Sequence, residues 1–414
     1  MNEAKQKFRL TSLERAWILY DVGNSAFVLL VATLIPIFFN ALAEGGGLSS
    51  VEYLAYWGYA ASAVTVITAV LSPILGTLAD TRNFKKPIFT FCVAVGVIGC
   101  CAMGMASTWL PFLLIFIFAK VGFSGSLVFY DSMLSDVTVP DRMDEVSSKG
   151  YAWGYIGSCV PFVVCLALVL GAGSIGISQM TALNLALFIT AAWWLVTTLP
   201  LLRQYKQVHF VEVQEHAIRQ SFARIGHTLR HLKEDRQVFW FLLAFFCYID
   251  GVYTIIDMAT AYGTALGLDT TGLLLALLVT QIVAFPSALV FGRLSGQYPS
   301  GTLIPGCIAA YAGIALFAFF LKHQWQFWVL AVVVGMFQGG IQALSRSHFA
   351  KIIPPEKSGE YFGLFDICGK GASFLGTMIV SVGSQLTGSA NVGVGSLIVL
   401  FIVGFVLFRV SDRK

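Results

Sequence analysis

Apolar stretches long enough to cross a membrane follow one another along the whole chain, separated mostly by short polar connections. A helix needs roughly 20 apolar residues to cross the hydrocarbon core of a bilayer. Charged residues make up only 12% of the chain, about half of what a soluble domain carries (roughly 25%). The sequence therefore predicts an all-α membrane protein with twelve transmembrane helices. We number the stretches as spans 1 to 12, at residues 15–40, 53–79, 87–107, 110–131, 150–171, 178–202, 237–262, 271–292, 301–321, 325–348, 359–385 and 392–410.

The same sequence argues against several other functions. The formal net charge is +4, and no basic cluster of the kind that binds nucleic acid is present. Zinc-protease motifs, nucleophile elbows and phosphate-binding loops are absent from the sequence. The eight Cys all fall within spans, with no ligand-like Cys/His spacing. We expect no enzymatic activity, no metal, no cofactor and no nucleic-acid partner, and we expect a monomer.

Nearly all basic residues fall on one side of the predicted bundle. With the N-terminus in the cytoplasm, all but three of the 26 Lys and Arg lie in or beside cytoplasmic segments. The exceptions are Lys322 in an outside loop, and Lys120 and Lys370 within spans. Lys and Arg accumulate in cytoplasmic loops. We therefore expect both termini in the cytoplasm, and a location in the inner membrane of a bacterium.

The chain is predicted to consist of two halves of six spans. A polar segment rich in His and Arg separates them, which gives a bundle at 1–202, a linker at 203–236 and a bundle at 237–414. Both halves carry similar cytoplasmic connections, because Gly76 and Gly292 open matching segments at the ends of spans 2 and 8. Internal repeats of this kind are typical of transporters. We expect the two bundles to be related by a pseudo-two-fold axis.

The first of these repeated segments resembles the loop signature of the major facilitator superfamily. That signature has a Gly, an Asp four residues later, and then basic residues; Gly76, Asp80, Lys85 and Lys86 match it. The resemblance implies a major facilitator fold. It also implies that these four residues form a cytoplasmic gate in which the acid faces a helix N-terminus. For Lys85 and Lys86, anchoring the topology is an equally good explanation.

Polar side chains within the spans recur on every third span. Charges inside a bilayer are costly and indicate function or a buried partner. Spans 3 and 9 carry no charge and span 12 carries only Arg409 at its cytoplasmic end, whereas spans 1, 4, 7 and 10 carry polar residues, those of spans 1, 7 and 10 at helical spacing. In the major facilitator fold these four spans line the central cavity. The resemblance therefore implies a substrate and coupling path formed by Asp21, Asn24, Lys120, Asp250, Asp257, Gln338, Gln342 and Arg346.

The charges inside the spans do not balance. Four acids, Asp21, Asp250, Asp257 and Asp366, face two bases, Lys120 and Lys370. Asp366 and Lys370 have the spacing of an ion pair on one helix, which serves structure equally well. At least one carboxylate should lack a cation unless Arg346 reaches inward, and such a group can carry a proton. We expect Asp250 to do so, with Asp257 second; capping of kinks or helix termini is the alternative.

Longer segments are similar to a narrower group, the "unknown major facilitator" transporters related to the autophagy-linked vacuolar effluxers. They are WILYDVGNSAF at 17–27, FLLAFFCYIDGV at 241–252 and QGGIQALSRS at 338–347. Shorter matches occur at 154–157, 193–200 and 359–363. The resemblance touches both halves and implies export of a small solute, with amino acids handled by the vacuolar members of the group.

Two classes of function fit these observations. The favoured one is a secondary transporter that works by alternating access. A Lys and several Asp in one cavity suit an amino-acid-like zwitterion, with Tyr20, Tyr155 and Tyr248 packing against its apolar part. The alternative is a receptor or sensor that acts through the linker, which has amphipathic character at 218–232. A linker lying on anionic lipid also explains that character.

Overall fold

The protein is a bundle of long helices in a computed structural model that describes residues 9–212, 230 and 232–412. Each predicted span forms one helix, except that spans 1 and 12 each consist of two helices. Spans 1 to 6 are Ser12–Ala32 with Leu34–Gly45, Ser50–Ala79, Lys85–Met103, Trp109–Ser132, Pro140–Leu170 and Gln179–Gln204. Spans 7 to 12 are Arg236–Ala265, Thr270–Leu294, Ser300–Phe319, Gln324–Ile352, Ser358–Thr387 and Ala390–Gly395 with Ile398–Ser411.

The helices have the length and the outer surface of membrane spans. Counted over the described residues, eleven are long and apolar enough to cross a membrane; Ser358–Thr387 completes the bundle. Large apolar side chains such as Phe91, Ile98 and Phe118 are exposed on the outside. Such a surface suits lipid rather than water. The predicted all-α, twelve-span architecture is confirmed.

Local sequence signals explain where span 1 begins and breaks. Thr11 accepts a hydrogen bond from the backbone N–H of Glu14, whose carboxylate accepts one from the N–H of Thr11. This capping box satisfies donors that a helix start leaves unpaired. The helix breaks at Thr33, because Pro36 has no N–H to donate to the carbonyl four residues earlier.

The packing of the helices repeats between the two halves. Span 2 packs against span 11 across the interface between the halves, and span 5 packs against span 8. These two contacts are equivalent if each span n of the first half corresponds to span n+6 of the second. The predicted pseudo-two-fold relation is therefore visible in the packing itself.

The repeated glycines lie where the halves approach most closely. A Cβ on Gly76 would overlap the carbonyl oxygen of Gly359 in span 11. At the equivalent contact, a Cβ on Gly292 would lie 2.8 Å from the Cβ of Ser148 in span 5. Small residues let helices in membranes come this close, which explains why both repeats need Gly.

An aromatic core holds the first half together. Trp194 of span 6 is fully buried, with its ring centroid 5.5 Å from that of Phe27 and 5.7 Å from that of Phe123. Its ring also packs against Gly96, where any side chain would overlap it. Span 6 is thereby fixed against spans 1, 3 and 4.

We predict that Trp194→Ala lowers the melting temperature of the purified protein, because it leaves a cavity worth about 3–5 kcal/mol of stability. The control is Trp153→Ala, since Trp153 is 46% exposed and should change the melting temperature much less. Equal shifts for the two variants, measured by thermal unfolding in detergent, would contradict this assignment of the core.

Candidate transport cavity and gate

A cavity of about 380 Å³ lies between the two halves. The first half contributes residues of spans 1, 4 and 5, and the second half contributes residues of spans 7, 8, 10 and 11. Spans 1, 4, 7 and 10 therefore line the cavity together with spans 5, 8 and 11. The polar and aromatic lining residues include Asp21, Asn24, Ser25, Asp131, Tyr151, Tyr155, Tyr253, Asp257, Gln281, Gln338, Gln342, Arg346 and Asp366.

Arg346 of span 10 reaches across the interface and pairs with acids of the first half. Its Nη1 donates to Asp131 of span 4 at 3.0 Å, and its Nη2 lies 3.5 Å from Asp21 of span 1. Nε and Nη2 also donate to the hydroxyl and the carbonyl of Ser147 in span 5, at 2.9 and 3.0 Å. One guanidinium thus joins the second half to three helices of the first.

Aromatic rings cover the faces of this guanidinium. Its carbon lies 4.3 Å from the ring centroid of Tyr151, 4.7 Å from that of Trp17 and 5.4 Å from that of Tyr130. Trp17 stacks on Tyr130 at 4.4 Å and donates its indole N–H to the Tyr130 carbonyl. Cation–π contacts gain strength where water is excluded. The Arg346 side chain is only 3% exposed.

Four other residues of the predicted path reach the cavity. Asn24 lines it beside Asp21, and Asp257 lines it from span 7. Gln342 accepts a hydrogen bond from the hydroxyl of Tyr155 at 2.9 Å, across the interface between the halves. Gln338, one turn earlier in span 10, is 5% exposed and lines the cavity as well.

Three predicted residues point away from the cavity. Asp250 is fully buried and accepts hydrogen bonds from the backbone N–H of Gly376 at 2.9 Å and from the hydroxyl of Thr254. Tyr20 donates to Ser126, and Tyr248 is hydrogen-bonded to Ser345; both rings are fully buried. Their contacts lie within one half of the protein, so these side chains support the helix bundles.

Lys120 of span 4 lies beside two aromatic rings of the first half. The ammonium of Lys120 lies 4.7 Å from the ring centroid of Phe123 and 5.9 Å from that of Phe27, and it is close enough to Asp257 to interact with it. The side chain of Lys370 lies outside the described residues, so its predicted pairing with Asp366 stays a prediction. Asp366 accepts a hydrogen bond from Ser72 of span 2 at 2.7 Å.

The signature segment closes one end of the cavity. We call this end the basic face; it carries Lys85, Arg142, Arg293 and Lys351. Asp80 accepts hydrogen bonds from the backbone N–H groups of Gly359 and Glu360 at 2.7 and 2.8 Å. The Asp of the first half thus caps the N-terminus of span 11 in the second, where a carboxylate is stabilised.

Lys85 joins this gate, whereas Lys86 lies partly exposed beside it. The buried Lys85 ammonium lies 3.8 Å from Asp80, 3.6 Å from Asp136 and 2.8 Å from the Ser358 hydroxyl. Burial raises the pKa of Asp80 to about 7, against the opposing effects of Lys85 and the two amide donors.

A second latch on the basic face relates span 5 to span 10. Asp144 accepts hydrogen bonds from Ser347 at 2.6 Å and from Lys351 at 2.5 Å. Ser147, one turn further along span 5, donates to the carbonyl of Ala343 at 2.8 Å. Polar contacts between the halves therefore close the basic face on both sides of the pseudo-two-fold axis.

The start of the linker packs against the same gate. Asp136 accepts hydrogen bonds from the hydroxyl of Tyr205 at 2.6 Å and from the backbone N–H of His209 at 2.8 Å. The N–H of Val211 donates to the carbonyl of Asp80. Residues 205–212 are thus tied to the loop that carries Asp80. The predicted amphipathic stretch at 218–232 lies almost entirely outside the described residues.

Several residues at the site stand outside the predicted path. Asp131 stands at the end of span 4, where a charge is also explained by the membrane boundary. Ser147 and Tyr151 carry no charge, so only their position in the fold identifies them, whereas Tyr253 stands on the polar stripe of span 7 at helical spacing. Gln281 is a polar residue within span 8, and its polarity could have identified it from the sequence.

Twelve helices in two related halves around a charged cavity define a transporter of the major facilitator type. The fold is shared with human MFSD10, described as an organic anion transporter (TM-score 0.73, 13% identity, 96% of this chain and 98% of that one). It is also shared with FucP in its outward conformation (TM-score 0.72, 17% identity, 97% and 98%). At such identities, the likeness concerns the fold alone.

The chain belongs to the family described as "Vacuole effluxer Atg22 like", whose profile matches residues 12–138 and 135–414. It is 42% identical over 404 residues to the "Uncharacterized MFS-type transporter YxiO" of Bacillus subtilis, covering 96% of this chain and 94% of that protein. Autophagy-related protein 22 of Coccidioides immitis is 25% identical, and the match covers 65% of this chain and 51% of that protein. The family resemblance, and the prediction of a transporter rather than an enzyme, are confirmed.

We predict that Asp80→Ala opens the basic face, because the N-terminus of span 11 loses both hydrogen bonds, each worth about 1.5–3 kcal/mol with a charged acceptor. Spin labels at Arg82 and Glu356, both exposed, should move apart in an electron–electron distance measurement. Asp412→Ala, which removes an exposed acid of the same face, is the control. An unchanged distance distribution in Asp80→Ala would refute the gate.

Proposed function

We propose that this protein is a secondary active transporter that moves a small solute by alternating access. The observation that supports this best is the cavity itself: both halves line it, and polar contacts between the halves close one of its ends. Hydrogen bonds and ion pairs at an interface can be exchanged for water or for a solute. Rocking of the two halves around such a cavity is how transporters built from repeats work.

Efflux from the cytoplasm is the direction that we propose. Basic residues collect at the closed end of the cavity, and such residues accumulate on the cytoplasmic side of membranes. In this orientation both termini are cytoplasmic and the described state is closed toward the cytoplasm. The family description as effluxers supports export, and the Bacillus relative supports a location in a bacterial inner membrane.

Proton coupling through a carboxylate of span 7 completes the proposal. The sequence favoured Asp250 over Asp257. The geometry supports Asp257, since it lines the cavity whereas Asp250 is enclosed between spans 7 and 11. A proton carrier must be reachable from water in at least one state. The solute that we propose is amino-acid-like in size, in keeping with a cavity of about 380 Å³.

We predict that Asp257→Asn transports without responding to a pH gradient, because the amide cannot take up the proton, whereas Asp250→Asn keeps its response. The measurement is flux of labelled phenylalanine or phenethylamine in proteoliposomes under an imposed gradient, with protein-free liposomes as the blank. If only Asp250→Asn lost its dependence on the pH gradient, Asp250 rather than Asp257 would be the coupling residue. Gradient-independent flux in the unmodified protein would exclude proton coupling.

The orientation makes a separate prediction. In a chain whose native cysteines have been replaced, G173C lies in an exposed loop opposite the basic face. It should react with a membrane-impermeant maleimide on intact cells, whereas E356C on the basic face should react only after permeabilisation. The reverse labelling pattern would place the basic face outside.

A further inference from the structure

The side chain of Arg346 is held entirely by the half of the protein to which it does not belong. Counted over the described residues, all its hydrogen bonds, ion pairs and ring contacts go to spans 1, 4 and 5 of the first half. The partners are Trp17, Asp21, Tyr130, Asp131, Ser147 and Tyr151. Separation of the two halves would therefore remove all of these contacts at once.

Arg346 also stands between the cavity and the second latch of the basic face. It lines the cavity, and the next residue, Ser347, donates a hydrogen bond to Asp144 of that latch. Ser147 accepts a hydrogen bond from Nε of Arg346 and donates one to a backbone carbonyl of span 10. If the latch opens under the proposed mechanism, spans 5 and 10 part and water from the basic face reaches the guanidinium.

The closed arrangement leaves no room for a solute beside the guanidinium. A Cβ atom added to Gly150 of span 5 would already lie 3.1 Å from Nη2 of Arg346 and 2.9 Å from Oδ2 of Asp21. Nε, Nη1 and Nη2 all donate hydrogen bonds within the protein. A solute carboxylate would therefore compete with Asp21 and Asp131 for the same N–H groups of Arg346.

The chemistry of the guanidinium indicates what replaces these partners when the halves part. A guanidinium carries five N–H donors and no acceptor, and it binds a carboxylate through two parallel hydrogen bonds. In the closed state Nη1 of Arg346 donates to the carboxylate of Asp131 at 3.0 Å. A solute that carries a carboxylate would replace this partner by a group of the same kind, which water cannot do.

We propose that Arg346 binds the carboxylate of the transported solute while the basic face is open, and that Asp21 and Asp131 displace this carboxylate when the face closes. The proposal deepens the proposed function and rests on it. After closure the solute remains in the cavity without its cation, so the protein binds it more weakly. An exporter needs this difference between its two states, because it must release on the far side the solute that it bound on the near side.

The first test compares carboxylates with their amides by calorimetric titration of the purified full chain in detergent. One pair is 3-phenylpropionate and 3-phenylpropionamide, and the other is phenylalanine and phenylalaninamide. Within each pair the compounds differ only in the group offered to Arg346. We expect each carboxylate to bind at least about tenfold more tightly than its amide. A carboxylate that binds no more tightly than its amide, in either pair, would overturn the proposal.

Two variants that disrupt the same ion pair should change the binding of 3-phenylpropionate in opposite directions. Arg346→Lys keeps the charge but cannot offer two parallel N–H donors, so binding should weaken at least about tenfold. Asp131→Asn removes a competing carboxylate, so binding should strengthen about tenfold. Arg409→Lys, at an exposed position of span 12, is the control and should leave binding unchanged. An ion pair that serves structure alone predicts no strengthening in Asp131→Asn, and that result would refute the competition.

The second test follows the basic face itself, with the spin labels at positions 82 and 356. A ligand that prefers the open state shifts the population toward it, so 3-phenylpropionate should lengthen the distance between the labels and its amide should not. An unchanged or shorter distance with saturating 3-phenylpropionate would contradict the proposal. Neither test needs a membrane gradient. Binding and opening as expected, without flux in proteoliposomes, would therefore count against the proposed transport function and leave the role of Arg346 in carboxylate binding supported.

Discussion

The closed face of this protein depends on one buried guanidinium. Arg346 leaves the second half and enters a pocket formed by spans 1, 4 and 5 of the first, where Asp21, Asp131 and Ser147 receive it. A buried charge is tolerated only with partners and hydrogen bonds. The partners come from the opposite half, so the closed arrangement brings all of them to the guanidinium together. Under the proposed alternating-access mechanism, water or a solute would replace these partners when the face opens, which favours two discrete states over a continuum.

The remaining polar contacts on this face also join one half of the protein to the other. Asp80 caps a helix of the other half and Asp144 receives two side chains of the other half, and the halves touch through small residues that leave no room for side chains. Each half is internally held by apolar and aromatic packing, as around Trp194. Rigid halves joined by exchangeable polar contacts are suited to rocking as bodies.

Much of the site could be predicted because the spacing of residues along one helix and the free-energy cost of placing a polar group in the membrane are both properties of the local sequence. Seven of the residues named from the sequence line the cavity, and Asp80 meets a helix N-terminus. The seven are Asp21, Asn24, Tyr155, Asp257, Gln338, Gln342 and Arg346. Asp250 does not reach the cavity, although it lies two turns from Asp257 on nearly the same helix face. Its carboxylate instead fills the space that Gly376 leaves open in span 11. Which part of a polar stripe faces a neighbouring helix depends on where helices cross, and spacing within one helix does not contain that information.

The sequence by itself determined the twelve spans, their grouping into two halves and the spans that carry polar groups. These features follow from the free-energy cost of exposing polar groups to lipid, because that cost depends on each residue separately. Only the tertiary structure decided that Arg346 forms ion pairs with Asp21 and Asp131, and that Asp257 is exposed at the cavity. Charge pairing across two halves depends on distances between helices far apart in sequence.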